Sequence, residues 1–158
     1  MKISQLYAVR AMMMLARHYN QGAIRVRDIA HEESLPEKFL VLILLELKSA
    51  RIVESVRGAR GGYRLRRPPS EIRLSEIIHL VDGPLAPFGD TDQLRNLIGR
   101  DAENRTLYQV FLDVSNAAAG ILEHTTLADL VANQTSQKLP VRPGDDAVDA
   151  ARGSPSPG

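Results

Sequence analysis

One nine-residue stretch limits the fold of this chain more than any other: Ser55-Val-Arg-Gly-Ala-Arg-Gly-Gly-Tyr63. Its glycines free the backbone for a long reversal. Short apolar runs flank it, Ile52-Val53 before and Tyr63-Arg64-Leu65 after. The segment therefore predicts a β-hairpin whose flexible loop carries Arg57 and Arg60 at its tip. Arginine brings a permanent charge and a fork of donors. Such a loop suits insertion into a DNA groove, although an ordinary basic surface hairpin has the same composition.

The distribution of charge bears on that choice. The net charge of +1 over 158 residues conceals two unlike halves. Residues 1–73 carry a net +7 and residues 74–158 a net −6, and six arginines between Arg51 and Arg67 face a single acid, Glu54. A basic half is the electrostatic footprint of a polyanion binder, with the acidic half turned away. The chain has no cysteine, which removes disulfides, thiolate metal sites and cysteine nucleophiles together. It contains no apolar run long enough to span a bilayer. Its start, Met1-Lys-Ile-Ser4, leads into a charged helical pattern and not a signal peptide, so a cytoplasmic protein is expected.

Residues 4–19 read as a helix with two apolar stripes: Leu6, Val9, Met13 and Ala16, then Tyr7, Ala11, Met14 and Leu15. Two stripes imply burial on two sides, one of them against another subunit. A short extended piece at 24–26 and a short helix at 28–33 follow. Pro36 and Glu37 then open a third helix containing seven consecutive apolar residues, Phe39 to Leu45. Phe39, Leu40, Ile43, Leu44 and Leu47 form its expected core face. Val41, Leu42 and Leu45 fall elsewhere. Helix, turn, helix and basic hairpin is the order of a winged helix-turn-helix, in which one helix lies in the major groove and the hairpin reaches the backbone or minor groove.

After the hairpin a short helix is expected over 74–81. Residues 84–105 read as polar and irregular, with one helical turn near 93–98. A helix over about 104–123 then carries Leu107, Val110, Phe111, Val114, Ala118, Ile121 and Leu122 at helical spacing. The chain offers little to cover that stripe beyond a short helix at 127–131, opened by Thr126 and Asp129 as a capping box. A homodimer through the stripe is expected, the alternative being that it packs wholly on its own domain. The fold expected is mainly α with a small β-hairpin wing. It divides into a winged helix-turn-helix DNA-binding domain (1–83), a sensor-like loop (84–105), dimerisation helices (106–134) and a disordered tail (135–158).

Several segments together resemble the Rrf-two family of bacterial winged-helix transcriptional regulators. Met1-Lys-Ile-Ser4 with Tyr7-Ala-Val-Arg-Ala11 is similar to the family's opening helix. Ile29-Ala30 with Leu35-Pro-Glu-Lys-Phe-Leu40 resembles its helix-turn-helix, and Ser55-Val-Arg-Gly58 with Gly61-Gly62-Tyr63 its most specific motif. The stretches from Glu71 to Pro87 and from Leu122 to Leu130 look like its later segments. The resemblance implies a homodimeric regulator, a repressor, on a partly palindromic promoter site. The third helix, with Lys38 and Phe39 near its start, would sit in the major groove. Arg57 would enter the minor groove, flanked by Gly58, Gly61, Gly62 and Tyr63. Arg60, Arg64, Arg66 and Lys48 would meet phosphates.

The chain departs from the family's pattern in instructive places. The family's sensor segment usually holds three cysteines for an iron–sulfur cluster. Here it has none, and four scattered histidines do not replace them. No cofactor is therefore expected, as in the family's cluster-free cysteine metabolism repressor, and the effector would be a small molecule or a partner protein. Val41 and Leu42 stand where base-reading polar residues are usual; apolar side chains touch thymine methyls and read little else. A family glycine after the third helix is Arg51 here. The alternative function is a winged-helix protein-interaction module that does not bind DNA specifically. An enzyme is not expected, because Asp90, Asp92, Ser75 and His79 do not form a base, nucleophile and orienting group at interpretable spacing.

Overall fold

The computed structural model describes residues 2–81, 83 and 89–137, with side chains through Gln134. Its elements run α1 (Ile3–Arg17), α2 (Val26–Glu33), α3 (Glu37–Ser49), β1 (Val53–Val56), β2 (Gly62–Leu65), a 3-10 turn (Pro69–Glu71), α4 (Leu74–Leu80), α5 (Thr91–Arg100), α6 (Arg105–His124) and α7 (Leu127–Gln137). The fold is mainly helical with a two-stranded antiparallel wing.

The core is built from one face of each early helix. Ala8, Ala11, Met12 and Leu15 of α1 meet Ile29 of α2, Leu40, Ile43, Leu44 and Leu47 of α3, and Val53 and Leu65 of the wing. The turn between α2 and α3 is made by Ser34, whose φ of 53° is left-handed, so that the Leu35 N–H reaches back to the Ala30 carbonyl at 2.9 Å. Glu33, at the end of α2, is gripped by Arg17 at 2.8 Å and lies 3.5 Å from Arg10, which fixes α2 on α1. α3 ends in a Schellman turn. The Ile52 N–H donates to the Leu47 carbonyl and the Arg51 N–H to that of Lys48, both at 3.0 Å. Arg51 stands at the left-handed position of that turn, with φ of 60°. A glycine at this place in the family has a direct conformational reason, and this chain departs from it at a cost.

Several expectations are corrected. Phe39 is not core: it is 37% exposed, with its ring edge-on to Tyr7 at 5.9 Å. Leu6, at the head of the first stripe of α1, is exposed, while Gln5 beside it is buried. The Gln5 amide donates to the carbonyls of Ile78 (3.0 Å) and Gly83 (2.9 Å), and so satisfies the end of α4. Residues 91–100, expected to be largely irregular, form the three-turn helix α5, which packs along α6. Asp90 accepts from the Asp92 N–H at 2.8 Å and caps it. α7, grouped with the dimerisation helices, packs on α1, with Leu127 fully buried. It runs to Gln137, past the expected start of the tail, and the rest of the tail lies outside the described residues. The capping box that opens α7 forms as expected: the Asp129 N–H donates to Thr126 Oγ1 (3.1 Å) and the Thr126 N–H to Asp129 Oδ2 (3.0 Å).

Candidate nucleic-acid interface

Backbone chemistry builds the wing before any partner is involved. β1 and β2 pair in the register Val53↔Leu65, Glu54↔Arg64, Ser55↔Tyr63 and Val56↔Gly62. Behind them Ile24 adds a single-residue third strand, exchanging two 2.8 Å hydrogen bonds with Tyr63. Gly62, at φ 141°, makes this approach workable: a Cβ there would stand 2.2 Å from the Ile24 carbonyl oxygen. A Cβ on Gly61 would stand 2.4 Å from the Val56 carbonyl oxygen. These two glycines serve the hairpin's own packing. Gly58, at φ 106°, faces open space at the tip. Tyr63 is half-buried against the core, and Arg25 donates to the Ala59 carbonyl at 2.6 Å, steadying the loop from outside it. Sequence reading did not single out Arg25, because the pairing that brings it there joins segments far apart in the chain.

The cations of this region fall into two groups. Arg64 pairs with Glu54 across the strands at 2.7 Å, and Arg67 with Glu76 at 3.0 Å. Arg57, Arg60 and Arg66 are exposed and make no ion pair among the described residues, nor do Lys38 and Lys48 on α3. Arg27, Arg51, Arg100 and Arg105 likewise make none, so most of the cations without an ion pair lie in the first half of the chain, on the wing, at both ends of α3 and on α2. Between the ends of α3 the outward surface is mostly apolar, with Leu42 60% exposed and Phe39, Val41 and Leu45 beside it, and Glu46 is the exposed acid on the Phe39 side.

The long helix α6 resolves the expected dimerisation stripe into two. Leu112 and Ser115 are buried, and Phe111, Ala118 and Leu122 are half-covered within the chain. Leu107, Val110, Val114 and Ile121 remain exposed along one line. At 1.5 Å per residue that line is roughly 20 Å long.

The α5–α6 connection, where a sensor was expected, is closed by a polar clasp. Asp101 accepts from the Asn104 N–H (3.3 Å), the Asn104 side-chain amide (2.9 Å) and the Tyr108 hydroxyl (2.9 Å). These bonds, led by the Asn104 side chain, hold the Asp101 carboxyl below its usual pKa, and the bond to Asp101 holds the Tyr108 phenol above its own. No three His, Asp or Glu side chains converge on a metal-binding arrangement among the described residues. With no cysteine in the chain, and with Asp90, Asp92 and Asp101 each already engaged, a thiolate-held cluster does not fit these residues. Between the wing domain and α6 lies a polar cleft of about 400 Å³, lined by Arg67, Glu71, Arg73, Ser75, Glu76 and Glu123 among others. Its charges are largely matched already, with Arg73 3.6 Å from Glu123. No described helix is long and apolar enough to cross a membrane.

Comparison with known proteins agrees with this architecture. The model of the Rrf2 (Rrf-two) family, described as an iron-dependent transcriptional regulator, matches residues 2–133. An HTH-type transcriptional regulator of Mycobacterium tuberculosis is 38% identical over 124 residues, 78% of this chain and 76% of that protein. The HTH-type transcriptional regulator IscR of Serratia proteamaculans is 31% identical over 150 residues, 94% of this chain and 89% of that protein. Among solved structures, CymR, the global cysteine regulator of B. subtilis, superposes with a TM-score of 0.73 at 27% identity, covering 84% of this chain and 96% of that one.

Proposed function

The chain belongs to the Rrf2 family of transcriptional regulators, and from that premise we propose that it is a homodimeric repressor of a partly palindromic promoter site, working without an iron–sulfur cluster. In this reading α3 lies in the major groove and Arg57 enters the adjacent minor groove, whose narrow, A·T-rich form attracts arginine. Arg60, Arg66 and Lys48 neutralise phosphates, and Arg64 joins them by leaving Glu54, an exposed pair that holds it only weakly. The observation that carries the reading is the clustering of cations without an ion pair among the described residues: Arg57, Arg60 and Arg66 on the wing and Lys38 and Lys48 on α3 are five of them, while Arg100 and Arg105 are the ones in the second half of the chain. The exposed line on α6 supports a two-fold partner, since a stripe of this kind can meet its own copy. Release from DNA answers to a small molecule or a partner protein.

The test is binding to the chain's own promoter region as salt is varied. Log affinity should fall steeply and linearly with log salt. Arg57→Ala should weaken binding by about tenfold, in the range of one good groove contact, and relax site preference. Unchanged binding in that variant would sink the wing-insertion claim. A second reading draws on the exposed Val41, Leu42 and Leu45: a winged-helix module that docks protein. Absence of any protected DNA in a footprint at low salt would favour it.

A further inference from the structure

The outward strip of α3 is set by helical geometry. With Leu40, Ile43, Leu44 and Leu47 in the core, residues 38, 42, 45 and 49 point furthest from it at 100° per residue. The strip therefore reads Lys38, Leu42, Leu45, Ser49, with Val41 and Phe39 on its shoulders. From Glu37 to Ser49 the helix has no Arg, Asn or Gln. With lysine, those are the side chains that make paired hydrogen bonds to guanine or adenine in the major groove, and of the strip only Lys38, at its head, is of that kind.

We infer that α3 recognises thymine C5-methyl groups through Leu42 and Leu45, and that the operator half-site is A·T-rich where this helix lies. The inference rests on the DNA-binding reading above. The methyl of thymine is the one apolar feature that a base pair offers in the major groove. Leucine pressed onto a G·C pair would bury the cytosine amino group and the guanine acceptors without partners, which is unfavourable. The same leucines on thymine remove apolar surface from water on both sides. DNA is the occupant favoured over an apolar protein because of the frame. Lys38 heads the strip and Lys48 lies roughly 15 Å further along the helix on the Val41 flank, and neither they nor Arg57, Arg60 and Arg66 of the wing make an ion pair among the described residues. Arg57, reading a narrow minor groove, selects the same base composition.

The experiment uses the full chain and a random pool of 30-base-pair duplexes amplified with dTTP. Bound duplexes are selected, and one enriched site is prepared twice, with thymine and with uracil, which lacks only the methyl. Wild type should bind the uracil duplex about fourfold more weakly for each methyl contacted, about tenfold or more for two. Leu42→Ala with Leu45→Ala, both at exposed positions and so compatible with folding, should bind the two duplexes equally. Equal binding of wild type to thymine and uracil duplexes, or selected half-sites rich in G·C, would overturn methyl recognition and leave DNA binding standing. A pool from which wild type enriches nothing at low salt would overturn the DNA reading and this inference with it.

Discussion

Two helices of this molecule each leave four large apolar side chains in solvent, and their surroundings are opposite. α3 exposes Phe39, Val41, Leu42 and Leu45 inside a frame of lysines and wing arginines. α6 exposes Leu107, Val110, Val114 and Ile121 in the half of the chain that carries a net −6, with Asp113 and Glu123 on the same helix. Exposed apolar area of this kind calls for a partner. The charge around it separates the partners of the reading proposed above: a polyanion suits α3, whereas an acidic surround disfavours one at α6, where the proposed partner is a second copy of the chain.

The largest expected effect breaks the comparison from the α6 side. In a two-fold dimer, Val114→Asp places a carboxylate in the apolar line of each subunit. The variant should sediment as a folded monomer. Its affinity for the promoter should fall by about a hundredfold or more, because two linked half-site contacts become one. Leu42→Asp should do the reverse, weakening DNA binding while the dimer persists. If Val114→Asp remained a dimer in analytical ultracentrifugation, the exposed line on α6 would have some other partner and the contrast would fail.

A middle-sized effect concerns the frame around α3. The wing presents its arginines because Gly62 lets β2 close on Ile24. Gly62→Ala should destabilise the fold by about 3 kcal/mol, since the new Cβ meets backbone at 2.2 Å and the φ is unfavourable as well. Gly58→Ala, with open space around it and only an unfavourable φ, should cost about 1 kcal/mol. Urea denaturation of the two variants measures the difference. Equal losses would mean that the wing does not depend on its contact with Ile24.

The first of these faces was far more legible in the sequence than the second. Ile52, Val53 and Leu65 flank a glycine–arginine turn, and turn chemistry is local, so the hairpin could be read directly. The apolar face of α3 was readable from its period, apart from Phe39, which the edge contact with Tyr7 holds at the surface. The reason for Gly62 was not readable, because its partner Ile24 lies in a different part of the chain. Nor was α5. Its apolar positions Leu94, Leu97 and Ile98 are few, and its start depends on the Asp90 side chain folding back on its own turn. On α6 the sequence gives one broad stripe. Only the packing of α5 and α4 divides it into a covered side and a free side.

The smallest effect lies at the first turn of α6, where the exposed line begins. Asp101, Asn104 and Tyr108 form a clasp that spans Leu107, with Tyr108 next after it in the chain. Asp101 titrates below its ordinary 3.8 in the folded chain, first through the Asn104 side chain and then through Tyr108. Its contribution is thus complete above pH 3.8 and is lost as pH falls through the lower folded value. Tyr108 titrates above its ordinary 10.0, because its hydroxyl donates to Asp101. Its contribution is complete below pH 10.0 and is lost as pH rises through the higher folded value. Tyr108→Phe should therefore move the Asp101 carboxyl pKa upward, measured by NMR of the side-chain carboxyl carbon. It should lower the melting temperature at neutral pH by less than about 2 °C, as expected for exposed groups, and that difference should shrink at both pH extremes. An Asp101 titration unmoved by Tyr108→Phe would show that the Tyr108 hydroxyl adds nothing to the hold that Asn104 already has on Asp101. The base of the α6 line would then rest on Asn104 and the backbone of the turn.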